Sequence, residues 1–373
     1  MTLRGSLLKN NQQKKVAVIG WLGAFNLGDE MMLDTSLAEF RRHGHDITLL
    51  THSDDEKVHD RYQGYRVVSR TVLSDEKVRS IATHNDALFV NGGALLDDSD
   101  YAQPWSLAKD IARLAKAFIR RKKKVLLYGI STNDIVTDPA FIRDFTYILK
   151  NATYVSARDI FSQAVLANEL GYTTTELVDD IVFADPTVLK EIPEKQQGRI
   201  AIIPLYNNET EESVYKLVTT LIEATNQPMR FIHFFDEDDH DARATEKLRA
   251  RLGEGRFAID EIYAPRNAEE LQRSLEEVDV VFSARYHGIL FASAVGKRVV
   301  GLHYNTHRHY QNKNTYLWQA YGYGEATINI SEIASLSVDK IRNIISSTTK
   351  PNTRTRAIHR RAKRTLARVI KGI

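Results

Sequence analysis

Cysteine is missing from all 373 residues, so neither a disulfide nor a thiolate-bound metal can form, and nothing points to an oxidising compartment. No apolar run approaches the roughly 20 residues needed to span a bilayer. The basic first fifteen residues, MTLRGSLLKNNQQKK, lack the apolar core and small-residue cleavage site of a signal peptide. We therefore expect residues 1–15 to be a frayed extension and the protein to be cytoplasmic. Short-period repeats and low-complexity segments are absent. So is the G-x-G-x-x-G spacing after the first strand, which leaves a dinucleotide site unsupported.

What remains is ordinary for a soluble globular chain: 43% hydrophobic and 27% charged residues. The length suits two domains, each with its own core. The formal charge of +3 conceals an asymmetry. Residues 350–373 hold nine Lys/Arg and no Asp/Glu, leaving 42 basic against 48 acidic residues elsewhere, a body of −6 with a tail of +9.

Short apolar runs alternate with helical patterns along the chain. Residues 16–20 (VAVIG) read as a strand that enters WLGAFNLGDE, a glycine turn opening a helix near Asp29. Further strands are expected at 47–51, 65–69, 87–90, 125–130 and 153–156. Helices are expected at 72–83, 104–121 (with Pro104 at its start), 139–150 and 157–170. The aperiodic polar stretch KEIPEKQQGR marks a boundary near 188–198, after which the rhythm restarts: strands 200–204, 229–235, 278–282 and 298–303, helices 212–224, 241–252 and 268–277. This alternation predicts an α/β protein with two Rossmann-like domains, 16–190 and 198–330, facing across a cleft. Residues 331–373 form C-terminal helices with the basic tail. There Ile358, Ala362, Leu366, Val369, Ile370 and Ile373 share one helical stripe, so the helix packs back on the body, offers its cations to anionic lipid, or does both. Nucleic acid is not expected, since no aromatic interleaving accompanies the basic run.

The stretch that organises the chain is VDVVFSARYHGILFASAVGKRVVGLHYN. A strand, a turn with Arg285 and His287, and a helix starting near Gly288 make a site suited to anions: helix N–H groups, a positive dipole end and a two-pronged donor. Three other segments lie at the same expected sheet edge. NLGDE places Asn26, Gly28, Asp29 and Glu30 at a helix start, where a carboxylate can cap the helix or deprotonate a sugar hydroxyl. Gly92 and Gly93 in NGG let backbone approach a ligand, and SARD supplies Arg158. The acidic run HFFDEDDHD (233–241) reads as a solvated helix start, and HYNTHRH (303–309) lacks a carboxylate at diagnostic spacing, so no metal is expected.

Together GAFNLGDE, FVNGGALLDD, YGIS, VSARD, FADP and SARYHGILFASAVGKRVVGLHY resemble, in order and over roughly residues 16–320, the polysaccharide pyruvyl transferase family. The resemblance implies a GT-B architecture and transfer of pyruvate from phosphoenolpyruvate to a sugar diol of a cell-surface polysaccharide or its lipid-linked precursor. It implies no cofactor, phosphoenolpyruvate being a co-substrate. Arg285 and His287 fall on the family's donor-binding Arg and His, and Arg158 on a second such Arg. His287 is then the general acid, with Arg285 and Asp29 beside it, and Asn26, Gly28, Gly92, Gly93 and Tyr304 line the substrates. Tyr286 replaces a usual Leu, and Asn305 and His307 stand where Asp and Lys are common. Two other readings remain open: a nucleotide-sugar glycosyltransferase on the same architecture, and a non-catalytic saccharide-binding member of a polysaccharide assembly complex.

Overall fold

The computed structural model describes residues 13–53, 55–71, 73–193, 198–205, 211–227, 229–235, 240–253, 259–303, 316–317, 319–322, 326–351 and 355–373. Short, mostly apolar strands build two parallel sheets, their central members buried on both faces. The first contains β1 (Lys15–Ile19), β2 (Asp46–Thr51), β3 (Arg66–Ser69), β4 (Ala87–Leu96), β5 (Lys124–Thr132), β6 (Tyr154–Ala157) and β7 (Glu176–Leu177), in the order β3-β2-β1-β4-β5-β6-β7. The second contains β8 (Arg199–Ile203), β9 (Met229–Ile232), β10 (Ile259–Tyr263), β11 (Val278–Ser283), β12 (Arg298–His303) and β13 (Ala326–Asn329), in the order β10-β9-β8-β11-β12-β13. Parallel pairing requires crossovers, and the helices supplying them cover both sheet faces.

Each sheet reverses its strand order once, between β1 and β4 and between β8 and β11. At such a switch point the connections diverge and leave a crevice at the carboxyl ends of the strands. The NLGDE and NGG segments sit at the first switch point and Arg285 and His287 at the second.

Several expected elements differ. The strand expected at 87–90 is longer: β4 runs through NGG to Leu96, pairing Gly93 with Ile130, while Gly92 and Gly93 take φ of +54° and +91°. The helix expected from Pro104 is Leu107–Arg120, because the Ser106 hydroxyl accepts from Lys109 N–H and caps it there. The helix expected from residue 157 begins at Ile160 because Asp159 caps it, accepting from Ser162 N–H at 2.7 Å. Strands β7, β10 and β13 and the helix Val338–Ser347 complete the architecture.

The C-terminal helix Thr355–Lys371 returns to the first domain and buries Ile358, Ala362, Leu366, Val369 and Ile370 there. His359 Nδ1 meets Phe183 O at 2.9 Å, and Arg361 and Arg368 reach Asp179 and Glu176. One apolar cluster runs from Val16 and Phe40 through Ile203 and Phe291 to Ile370. The seam between the sheets is therefore packed core, worth about 1.5–3 kcal/mol per large side chain. Among the described residues no helix is long and apolar enough to cross a membrane.

Candidate active site

The first domain contributes a helix start. After β1 the chain passes Gly23 and Phe25, both at positive φ, and enters the helix Leu27–Arg42. Asn26 is its cap: the side-chain Oδ1 accepts from Gly28 N–H at 3.1 Å. Leu27 N–H instead donates across the seam to Phe234 O at 2.7 Å, so the N-terminus docks on the second domain. A methyl group added at Gly28 would stand 2.1 Å from His287 Nδ1 and 2.9 Å from its Cβ. Only glycine admits the imidazole this close. Glu30 is occupied elsewhere, accepting from Gly23 N–H, Tyr62 Oη and Arg61 Nε, which shapes the loop before the helix.

The second domain contributes His287, in the first turn of the helix Tyr286–Ala294, two residues earlier than expected. Gly288 is required there, since a Cβ would lie 2.4 Å from Ser283 Oγ. His287 Nε2 faces Arg158 Nη1 at 3.4 Å and Asp180 Oδ2 at 3.5 Å, while Arg158 Nη1 donates to the same Asp180 oxygen at 3.0 Å. Arg158 lies just past β6, and Asp180 three residues past β7, where its Oδ1 accepts from Val182 N–H. The group is closed from solvent: Arg158, Asp180 and His287 are 4%, 1% and 9% exposed.

Burial alone would push the Asp180 carboxyl up. The His287 imidazole, its hydrogen bond and the Arg158 guanidinium outweigh that and hold Asp180 well below the usual carboxylate range. Asp29, one residue past Gly28, takes the opposite course. Burial pushes it up to about 6, against the pull of His287 and Arg158 and with a further push from Asp180. Two carboxyls in one cluster thus differ in role, one a fixed anion and the other poised to exchange a proton near neutrality. Asp29 also lies beside Gly93, whose added Cβ would be 3.4 Å from Oδ1, while one on Gly92 would reach Ile181 at 3.0 Å.

Arg158 is buried with its Nε–H unpartnered among the described residues, and its guanidinium stacks 4.5 Å over the Tyr286 ring. The Tyr286 hydroxyl is likewise buried without a partner. Tyr286 is thus the platform beneath Arg158. Orphaned buried donors are costly unless a ligand uses them, and donors of this kind accept an anion.

Arg285 is held differently. Its Nη2 donates to both Asp241 oxygens at 2.9 and 3.1 Å and its Nε to Pro204 O at 3.0 Å, and it stacks 4.8 Å from the Phe235 ring. The acidic run 233–241 is therefore not simply a solvated helix start. Asp241 is buried at 1% exposure because it anchors Arg285, and His233 is buried against Thr245. Residues 236–239, Tyr304, Asn305, His307 and His309 lie outside the described residues. The cluster thus unites Gly28, Asp29, Arg158 and His287, with Asn26, Gly92 and Gly93 behind them and Arg285 on its own anchor. Asp180 and Asp241 are the members that sequence reasoning missed. Asp180 stands in a pair of adjacent aspartates and Asp241 at the end of an acidic run, and neither setting singles out one carboxylate.

A model of polysaccharide pyruvyl transferase matches residues 26–306, more than half of the chain. The chain belongs to the polysaccharide pyruvyl transferase family. It is therefore a member of a family of transferases acting on polysaccharide. No curated protein matches the sequence significantly. Among solved structures, this pyruvyl transferase family member is similar to Anabaena HepE in complex with UDP and glucose (TM-score 0.57, 12% identity, 96% of this chain and 98% of that one). It is also similar to UDP-N-acetylglucosamine 2-epimerase from Rickettsia bellii (0.58, 13%, 96% and 95%) and a glycosyltransferase from Rickettsia africae (0.55, 13%, 97% and 94%). At these identities the likeness concerns the fold, two Rossmann-like domains in the GT-B arrangement.

Proposed function

We propose that this family member transfers the pyruvyl group of phosphoenolpyruvate to two hydroxyls of a sugar unit, forming a cyclic ketal and releasing inorganic phosphate. The observation carrying the reading is a buried Arg158, one N–H unpartnered, beside an imidazole clamped between an ionised carboxylate and a helix N-terminus. Phosphoenolpyruvate is a small polyanion, and this set of donors suits its carboxylate and phosphate.

In this reading His287 Nε2 delivers its proton to the methylene carbon, making the adjacent carbon electrophilic. A sugar hydroxyl adds there and its proton passes to Asp29. The C–O bond to phosphate then breaks, and the second hydroxyl closes the ring. Of the two hydroxyl protons, the one taken by Asp29 passes to the departing phosphate and the other restores His287, so both side chains return to their starting states and protons and charge balance. Arg158 neutralises the departing phosphate. Arg285, fixed by Asp241, presents its remaining edge to the donor. The acceptor is a cell-surface polysaccharide or its lipid-linked precursor, which makes an anionic membrane a natural peripheral contact for the exposed face of the C-terminal helix.

Calorimetry with phosphoenolpyruvate, followed by phosphate release and mass gain on a glycoside panel, tests this. Arg158→Ala should weaken donor binding by about 2–5 kcal/mol, the cost of removing one partner of a desolvated ion pair. His287→Asn should keep donor binding and lose 10²–10⁴ in rate, the usual worth of general acid catalysis. Binding of a nucleotide diphosphate, with none of phosphoenolpyruvate, would instead favour a glycosyltransferase.

A further inference from the structure

A cavity of about 540 Å³ opens at the seam beside the cluster, and its lining comes from both domains. Phe25, Leu27, Lys57 and Arg61 belong to the first domain, Phe235 and Arg266 to the second. It adjoins the chemistry on two walls. Leu27 precedes the Gly28 that touches His287, and Phe235 is the ring on which Arg285 stacks.

Phe25 is the unusual member. It sits at φ +54°, a conformation that a bulky side chain rarely adopts, yet it is only partly packed against the core. The loop is held in place without it. Gly23 N–H, itself at φ +71°, donates to Glu30 Oε1 at 3.2 Å and Tyr62 Oη at 3.1 Å, and Asn26 caps the helix that follows. Strain retained at a cleft, where glycine or asparagine would relieve it, suggests that the ring itself is needed. An aromatic ring from each domain, with cationic and carboxylate side chains around them, is the lining of a site for a sugar ring. The C–H bonds of the sugar face meet the electron-rich ring faces, and its hydroxyls find donors and acceptors beside them.

We propose that this cavity is the acceptor subsite, holding a hexose ring between Phe25 and Phe235 with its hydroxyls toward Lys57, Arg61 and Arg266, beside the helix start at Leu27. The assignment rests on the donor reading above, but its test is separable from it. Arg61 is already fixed, donating to Asp34 at 2.6 Å and approaching Glu30 at 3.4 Å, so it is a preorganised hydroxyl partner.

The experiment is saturation-transfer NMR and calorimetry on the full chain without phosphoenolpyruvate. The probes are methyl glycosides of glucose, galactose, mannose, N-acetylglucosamine and glucuronic acid at millimolar concentration. Wild type should bind at least one of them. Phe25→Asn, which keeps the left-handed backbone, should weaken that binding about tenfold or more, with thermal midpoint and phosphoenolpyruvate affinity preserved. Phe25→Tyr, which keeps the ring, should retain it. Unchanged glycoside affinity in Phe25→Asn, or no transfer to any glycoside from wild type, overturns the assignment. Phe25-dependent glycoside binding by a protein that ignores phosphoenolpyruvate would uphold this subsite while removing the donor reading.

Discussion

Asp29 is the side chain whose ionisation should be visible in solution. Its carboxyl has an ordinary value of 3.8 and is pushed up to about 6 by burial, with His287 and Arg158 opposing. The native state therefore holds a proton that the unfolded state has released, so stability falls as pH rises from about 4 to about 6. The penalty is complete above that window. At about 1.4 kcal/mol per pH unit, Asp29→Asn should stabilise the protein by roughly 2–3 kcal/mol at pH 7 and by nothing below pH 4, read from urea midpoints across that range. The same substitution should lower activity and abolish the acid limb near pH 6 in kcat/KM. A limb surviving intact would assign the base to another group. At this scale the chain was legible where a residue has a distinctive setting, as with R-x-H-G, SARD and NLGDE. It was not legible in Val178–Asp179–Asp180. Asp179 bonds Tyr321 and Arg361 of the returning chain, its neighbour Asp180 bonds Arg158, and no local feature separates the two carboxylates.

The helix Leu27–Arg42 matters through its first turn, which is pressed against the other domain. Ala at position 28 would suit the helix itself, since it costs less than glycine in a helical position. Its Cβ, however, would overlap the His287 side chain at three atoms between 2.1 and 2.9 Å, so helix start and imidazole must separate. Gly28→Ala should cost about 1–3 kcal/mol as an overpacked contact and lower kcat/KM at least tenfold, measured by thermal unfolding and phosphate release. Full activity would mean that the imidazole does not work from this position. Elements were legible in proportion to their apolar content. β1 and β11, each buried at all but one position, were plain. β7 has only two residues, and β10 (IDEIY) is broken by two consecutive acids, so neither announces itself. The strand expected at 87–90 stops short of NGG because paired glycines ordinarily end a strand. Here glycine lets β4 take left-handed φ twice without leaving the sheet.

At the scale of the molecule, the paired domains followed from the repeated strand–helix alternation. The continuous seam core did not, because it joins residues hundreds apart. The C-terminal helix shows both halves of this. Its apolar stripe was visible, and the structure places that stripe in the first domain's core, so truncating it would remove packing along with charge. Its outer face is separable. Arg361 and Arg368 are paired with Asp179 and Glu176, whereas Arg356, Arg360, Lys363 and Arg364 are exposed and make no ion pair among the described residues. Four such cations near an anionic leaflet would add about 1 kcal/mol each, screened within roughly 10 Å at 0.1 M salt. Replacing these four by Gln leaves the buried stripe untouched, so the thermal midpoint should stay within a few degrees. Sedimentation with phosphatidylserine vesicles should drop, and what remains should depend less on salt. Wild-type protein that ignores such vesicles at low salt would leave the helix a purely structural strap, its cations serving solvation alone.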